Sequence, residues 1–322
     1  MTTKLIGLFE QKYTFAANMT KKTNSKVIAH LACFGAYLIF GFNIIICKGL
    51  SNSGLMSAQL LFCFRAIGAS VLFWTLSLFL KREKVAGKDL FKIFLASIIG
   101  LYMTQMFFLE GIRHITPMDC TMLTTLSPIF TMFIAAIAIK EPITLKKAGG
   151  VALSFCGVLF LVYNSVHAEG NIRQTEPFGI VLILLNGLFW AAYLGIFRSL
   201  INRYSVVTFM KWMFLFSALV SVPFGFSEML SVDYSAIPSL YIWELLYLIL
   251  FSTFVAYFLI PVGQKQLRPT VVSLYGYVQP LLASVISVCN GMDTVTWQKL
   301  VAATAMIGGA VLVNLSRSRQ TG

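Results

Sequence analysis

Ten apolar runs, joined by connections that are mostly under ten residues long, leave this chain almost no length for anything else. They lie at about 27–48, 57–80, 90–111, 118–139, 147–164, 178–198, 206–227, 240–261, 270–290 and 298–316. Each approaches the roughly 20 residues that a helix needs to cross a bilayer's hydrocarbon. With 58% hydrophobic and only 11% charged residues among 322, a water-soluble fold is excluded. Runs such as Val181 to Phe197 are apolar all round rather than alternating, which selects helices over a β-barrel. The predicted fold is all-α: a polytopic membrane protein with ten transmembrane helices.

The formal net charge of +13 would suit nucleic acid only if the basic residues gathered on a folded face. Here they fall between apolar segments, so no nucleic-acid partner is expected. With the N-terminus inside, nineteen Lys and Arg flank the inner ends of the runs and four flank the outer ends. The positive-inside rule then puts both termini in the cytoplasm, in a cell inner (plasma) membrane. The predicted organisation is a basic tail over 1–26, five helices over 27–164, an external linker at 165–177, five more helices over 178–316, and a tail at 317–322.

Displacing the chain by 152 residues aligns Gly111 with Gly263, Pro117 with Pro269, Pro128 with Pro280, Thr144 with Thr296, Lys147 with Lys299 and Gly157 with Gly309. Near an offset of 150, Phe40 meets Trp190 and Lys48 meets Arg198. The chain reads as a duplicated five-span unit. An odd span count ends on the opposite face from its start, so the second copy enters upside down, as in secondary transporters.

The stretch from Gly111 to Leu161, with Thr116-Pro117, Ser127-Pro128, Lys140-Glu141-Pro142, Gly149, Gly150 and Gly157, resembles the EamA-type drug/metabolite transporters. Ser273 to Leu312, with Tyr275, Tyr277, Gln279-Pro280, Gly291-Met292-Asp293 and Gly308-Gly309, is similar to the second repeat of that family. The resemblance implies a five-plus-five inverted repeat around a central cavity lined mainly by spans 1, 3, 4, 6, 8 and 9. Such proteins move amino acids, sugars, nucleotide sugars or other metabolites, many of them outward. The family commonly has Gly-Glu where this chain has Met292-Asp293.

Polar and aromatic side chains at mid-span cost energy facing lipid and so turn inward. The substrate-binding candidates are Asn43, Tyr102, Gln105, Thr124, Trp190, Tyr193, Tyr257, Tyr275 and Gln279. Trp190 leads, because it lies nearer the middle of its span than either end and matches an aromatic position common in the resembled family. Tyr102 and Gln105, three apart, are expected to share a helical face. Arg65, the basic residue well inside a span, is a gating candidate, with structural pairing or snorkelling as the competing reading. Pro128 and Pro280 each remove a backbone donor ten residues into spans 4 and 9, which suggests hinges.

The six cysteines form no C-x-x-C pair, and no metal or other cofactor is expected. A phosphate-binding G-x-x-x-x-G-K-S/T segment is likewise missing from the sequence. Glycines 149, 157, 308 and 309 suggest close packing of spans 5 and 10, within one chain or between two, so monomer and homodimer stay equally open. The expected function is alternating-access export of a small metabolite, such as an amino acid or related amphipathic compound, amid membrane lipids. The rival classes are a lipid-acting membrane enzyme and a non-transporting receptor. With three scattered histidines the sequence shows no enzyme-like cluster.

Overall fold

The computed structural model describes the backbone of residues 2–139, 144–166, 175–291 and 294–315, and side chains from Ser25 onward except for some within helices, Pro128 and Pro280 among them. Lys140, Glu141, Pro142, Met292, Asp293, most of the 165–177 linker and the 317–322 tail lie outside the described residues.

Among the described residues the chain is helical throughout, with no strand. Helix α1 (Thr2–Ser53) is helical already over the segment read as a tail, and α2 (Ala58–Leu78) follows. The third segment joins α3 (Gly87–Ser97), a π-helical stretch (Ile98–Met103), α4 (Thr104–Gly111) and a 3-10 turn at Ile112–His114. The fourth is broken into α5 (Pro117–Thr124) and α6 (Ser127–Ile139), and the fifth is α7 (Leu145–Val166).

The second half repeats this order. It runs through α8 (Pro177–Ile196) with the short α9 (Arg198–Arg203), then α10 (Val206–Ser231). Next come α11 (Ser239–Tyr247), a π-helical stretch (Leu248–Val255) and α12 (Ala256–Gln266). A broken segment of α13 (Pro269–Leu274), a 3-10 turn (Tyr275–Tyr277) and α14 (Val278–Cys289) leads to α15 (Trp297–Leu315). Both π stretches and both breaks fall at corresponding positions of the two halves.

Local chemistry accounts for the boundaries. Ser57, Thr116 and Ser205 cap α2, α5 and α10 by accepting hydrogen bonds from the third residue beyond each. Pro117, Pro177 and Pro269 stand in the first turn, where a missing N–H costs nothing. Gly54 follows α1 with φ 67°, a left-handed stop that suits glycine. The breaks lie just before Pro128 and Pro280, whose missing N–H cannot reach the carbonyls of Thr124 and Gly276. Just after the first π stretch and within the second, the Thr104 and Thr253 hydroxyls donate to the carbonyls five residues back, Ile99 and Leu248, at 2.7 Å each.

Among the described residues six helices are long and apolar enough to cross a membrane: Ser25–Ser53, Ala58–Leu78, Gly87–His114, Pro177–Ile196, Val206–Ser231 and Ser239–Gln266. Ala148–Leu161 and Val271–Ala283 form shorter apolar helices. Packing runs chiefly between the halves: α2 lies on α10, α7 on α15, α1 on α12 and α14, and α8 on α4 and α6. The glycine contact expected between spans 5 and 10 is therefore made within one chain. Carbons added at Gly157 and Gly309 would meet the Ala302 carbonyl at 2.9 Å and the Gly150 carbonyl at 2.3 Å. Gly149 meets no neighbour, and Gly308 only Leu153, at 4.0 Å.

Candidate functional site

The mid-chain polar residues of the broken and π-interrupted segments converge on one cavity of about 70 Å³. Helix α1 contributes Tyr37, Phe40, Asn43 and Ile44, and α4 adds Thr104, Gln105 and Phe108. Thr124 and Ser127 come from the break between α5 and α6, Gly276 and Gln279 from that between α13 and α14. Asn186 and Trp190 of α8 and Tyr257 of α12 complete the wall. These are segments 1, 3, 4, 6, 8 and 9. None of the lining residues is an aspartate, a glutamate, a lysine, an arginine or a histidine.

Corresponding residues of the two halves line it together. Phe40 and Trp190 lie 150 apart in sequence; Gln105 and Tyr257, Thr124 and Gly276, and Ser127 and Gln279 each lie 152 apart, and all eight line the cavity. The Gln105 Nε2 amide donates to the Tyr257 hydroxyl at 2.5 Å, while the buried Gln105 Oε1 makes no hydrogen bond. Trp190 Nε1 donates to the Tyr37 hydroxyl at 3.2 Å. The Phe40 ring meets those of Tyr37, Trp190 and Tyr257 edge to face, with centroids 5.8, 6.3 and 5.7 Å away. Asn186 fixes α8 to α4 by donating to the Thr104 carbonyl at 2.8 Å.

Of the residues singled out in the sequence, Asn43, Gln105, Thr124, Trp190, Tyr257 and Gln279 are brought together here. Tyr102, Tyr193 and Tyr275 are not among the lining residues. Tyr102 stands in the π stretch, whose wider i→i+5 turn separates its face from that of Gln105. Its hydroxyl donates to Gln59 at 3.4 Å and its ring meets Phe62 edge to face. Tyr193 is fully buried against Gly100, where an added carbon would come within 2.4 Å of the ring. Tyr275 instead bonds His30 Nδ1 at 2.6 Å.

Arg65 lies one layer behind the wall, 1% exposed. Its Nε donates to Thr253 at 2.8 Å and one terminal amine to Ser252 at 3.3 Å, with Cys47 Sγ 3.9 Å from the other. Pro128 and Pro280 follow the two helix breaks that carry Thr124, Ser127, Gly276 and Gln279. Sequence reasoning passed over Tyr37, Thr104, Ser127 and Asn186. Each is a polar residue inside an apolar run, so the signal that found Asn43 was present for them too.

Residues 27–163 and 177–315 each match the EamA-like transporter family. The chain is similar to the uncharacterized transporter YetK of Bacillus subtilis (strain 168), at 24% identity over 72% of this chain and 70% of that protein. It is also similar to the S-adenosylmethionine/S-adenosylhomocysteine transporter of Chlamydia muridarum (strain MoPn / Nigg), at 26% identity over 73% of this chain and 76% of that one. A crystal structure at 16% identity shares the fold with a TM-score of 0.62 over 91% of this chain and 98% of its own.

Proposed function

This chain belongs to the EamA-like transporter family, and on that premise we propose that it moves a small metabolite across the membrane by alternating access. It is an integral membrane protein, and the proposal adds ten crossings, two five-span repeats of opposite orientation and both termini in the cytoplasm of a plasma-membrane protein. The observation that carries the reading is the set of four corresponding pairs on one cavity wall. A cavity shared between inverted copies can open to either side by equivalent movements of the two halves. A cavity of about 70 Å³ has room for only a few waters in this conformation, so a solute would enter as the helices part.

The wall combines five aromatic side chains with amides and hydroxyls. That lining favours an amphipathic solute that stacks on rings and makes a few oriented hydrogen bonds, such as an amino acid or related compound moved outward. The Chlamydia muridarum relative is named for S-adenosylmethionine and S-adenosylhomocysteine rather than for an amino acid. Gln105 Oε1 offers such a solute an acceptor, and Trp190 a flat apolar face. Substrate recognition is assigned to Asn43, Gln105, Thr124, Trp190, Tyr257 and Gln279, and hinge movement to the breaks before Pro128 and Pro280. The relatives are named as transporters, which points away from an enzyme.

The test is a thermal-shift screen of metabolites on purified protein, followed by counterflow of each hit in proteoliposomes. Saturable exchange is expected for at least one hit. Binding without exchange would favour the receptor reading instead.

A further inference from the structure

Arg65 is a cation buried to 1% exposure that, among the described residues, makes no ion pair with an acidic side chain. An arginine stays protonated under all ordinary conditions, and an uncompensated buried charge is costly. Its hydrogen bonds have a direction. One terminal N–H donates to the Ser252 oxygen at 3.3 Å, so the Ser252 proton must go elsewhere, and it goes to Asn43 Oδ1 at 2.6 Å. The Asn43 oxygen also accepts from Cys47 Sγ at 3.6 Å, which occupies both its lone pairs, and what Asn43 has left for the cavity it lines is its Nδ2 amide group, a pair of donors.

Beyond it the wall is neutral. A solute acceptor placed against Asn43 would complete the donor chain and counter the Arg65 charge through the same low-dielectric layer.

We propose that the cavity selects solutes bearing one carboxylate, set against Asn43 and balanced by Arg65 through Ser252. This rests on the cavity being the solute pathway and narrows its substrate class. Arg65 is a specificity-determining residue acting through Ser252 and Asn43. A single cation balances a single negative charge, so the cavity prefers a carboxylate to a more highly charged phosphate ester.

The electrostatics can be read without knowing the substrate. A Thr124→Cys reporter in the full-length reconstituted protein is labelled with an anionic sulfonatoethyl and a cationic trimethylammonioethyl methanethiosulfonate. Labelling of the same protein without the reporter gives the background, and the rate ratio is normalised to that of a free thiol in solution. The anionic reagent is expected to be favoured by about ten-fold or more, the effect of a nearby charge at low dielectric. Arg65→Gln should bring the normalised ratio to near one, whereas Arg65→Lys, which keeps the charge, should retain most of the preference. Ser252→Ala, with Arg65 intact, should reduce it in part.

A ratio near one in the otherwise unaltered chain would overturn the charge selection even if Arg65→Gln fails to fold. An undiminished ratio in folded Arg65→Gln would do the same. Failure of either reagent to reach Thr124→Cys would overturn the pathway itself, and the proposal with it.

Discussion

The rings of Phe40 and Trp190, which occupy corresponding positions in the two halves of the chain, meet edge to face with centroids 6.3 Å apart on the cavity wall. Such contacts contribute about 0.5–1.5 kcal/mol beyond simple burial. Each ring also meets Tyr257, so the three form one aromatic unit. Trp190→Ala is expected to lower counterflow by about ten-fold without loss of folded protein, equivalent to about 1.4 kcal/mol. Phe40→Ala should lower it as well, and the double variant should lose less than the two singles combined, because contacting residues couple. Strict additivity, or unchanged flux in Trp190→Ala, would remove the pair from the solute site.

Gln105 and Tyr257 are tied by a 2.5 Å hydrogen bond across the same axis of correspondence. Tyr257→Phe keeps the ring edge to face with Trp190 and Phe214 and removes only the hydroxyl. A net hydrogen bond is worth about 1 kcal/mol, so half-saturation for solute should rise by about five-fold while the folded yield stays level. An unaltered half-saturation would show that Gln105 does not depend on this bond for its position.

Why some of this was legible before the structure and some was not comes down to helix geometry. The gap-free alignment of Gly111 with Gly263 and Pro117 with Pro269 marks real structural correspondence, since the helix starts at Pro117 and Pro269 coincide. Both glycines are also points of close approach, Gly111 to Ile183 and Gly263 to Cys33. Polar residues at mid-span led directly to Asn43, Gln105 and Gln279, because lipid offers them no partners. Tyr102 does not share the cavity wall with Gln105, because the chain adopts a π stretch where its spacing alone predicts a regular 3.6-residue turn. No sequence pattern announced that stretch. Nor could spacing show that Arg65 would find hydroxyls and a thiol rather than a carboxylate, since its partners lie 18 to 188 residues away.

The contact between Gly263 and Cys33 sets how closely α12 can approach α1. A carbon added at Gly263 would fall 2.2 Å from Cys33 Sγ and 3.3 Å from the Ala29 carbonyl. In an open helix glycine to alanine is favourable, but here overpacking should dominate and cost about 1–3 kcal/mol. Removing the sulfur with Cys33→Ala leaves the Cβ at an ordinary 3.8 Å. Gly263→Ala is therefore expected to lower thermal stability in detergent, and adding Cys33→Ala should recover much of the loss. A double variant no better than Gly263→Ala alone would place the strain on the backbone of α1 instead.

Glu83, in the connection between α2 and α3, accepts a hydrogen bond from the Ser205 N–H at 3.0 Å and so links the two halves outside the spans. Burial pushes its carboxyl upward, but bonds from the Ser205 N–H and hydroxyl and from Thr208, with Lys265 nearby, outweigh it and hold the group below its ordinary 4.5. A carboxyl with a lowered value in the fold stabilises fully above its unfolded value. That contribution disappears as pH falls through the folded one. Thermal unfolding of the native chain and Glu83→Gln should therefore differ at neutral pH and converge in acid, once the pH has fallen through the lowered value of the folded carboxyl. A gap that stays constant with pH would assign the stabilisation to packing rather than to charge.

Lys48 and Arg198 are also counterparts in the two halves, and each donates to carbonyls at the end of a neighbouring segment. Lys48 Nζ reaches the Ile112 and Arg113 carbonyls at 3.0 and 3.2 Å, and Arg198 reaches the Leu267 carbonyl at 3.2 Å. Helix C-termini carry unsatisfied carbonyls and a partial negative charge, so a cation there acts as a latch. With the opposite orientation proposed above for the two repeats, the two cations are expected to hold opposite mouths of the proposed pathway. Spin labels at Asn52 and Arg113 would report one mouth, and labels at Asn202 and Gln266 the other. Lys48→Gln is expected to lengthen or broaden the first distance and leave the second unchanged, with Arg198→Gln doing the reverse and Lys48→Arg doing neither. If one substitution moved both pairs of labels alike, the mouths would not be held independently, and the symmetry of the two halves would have no part in gating.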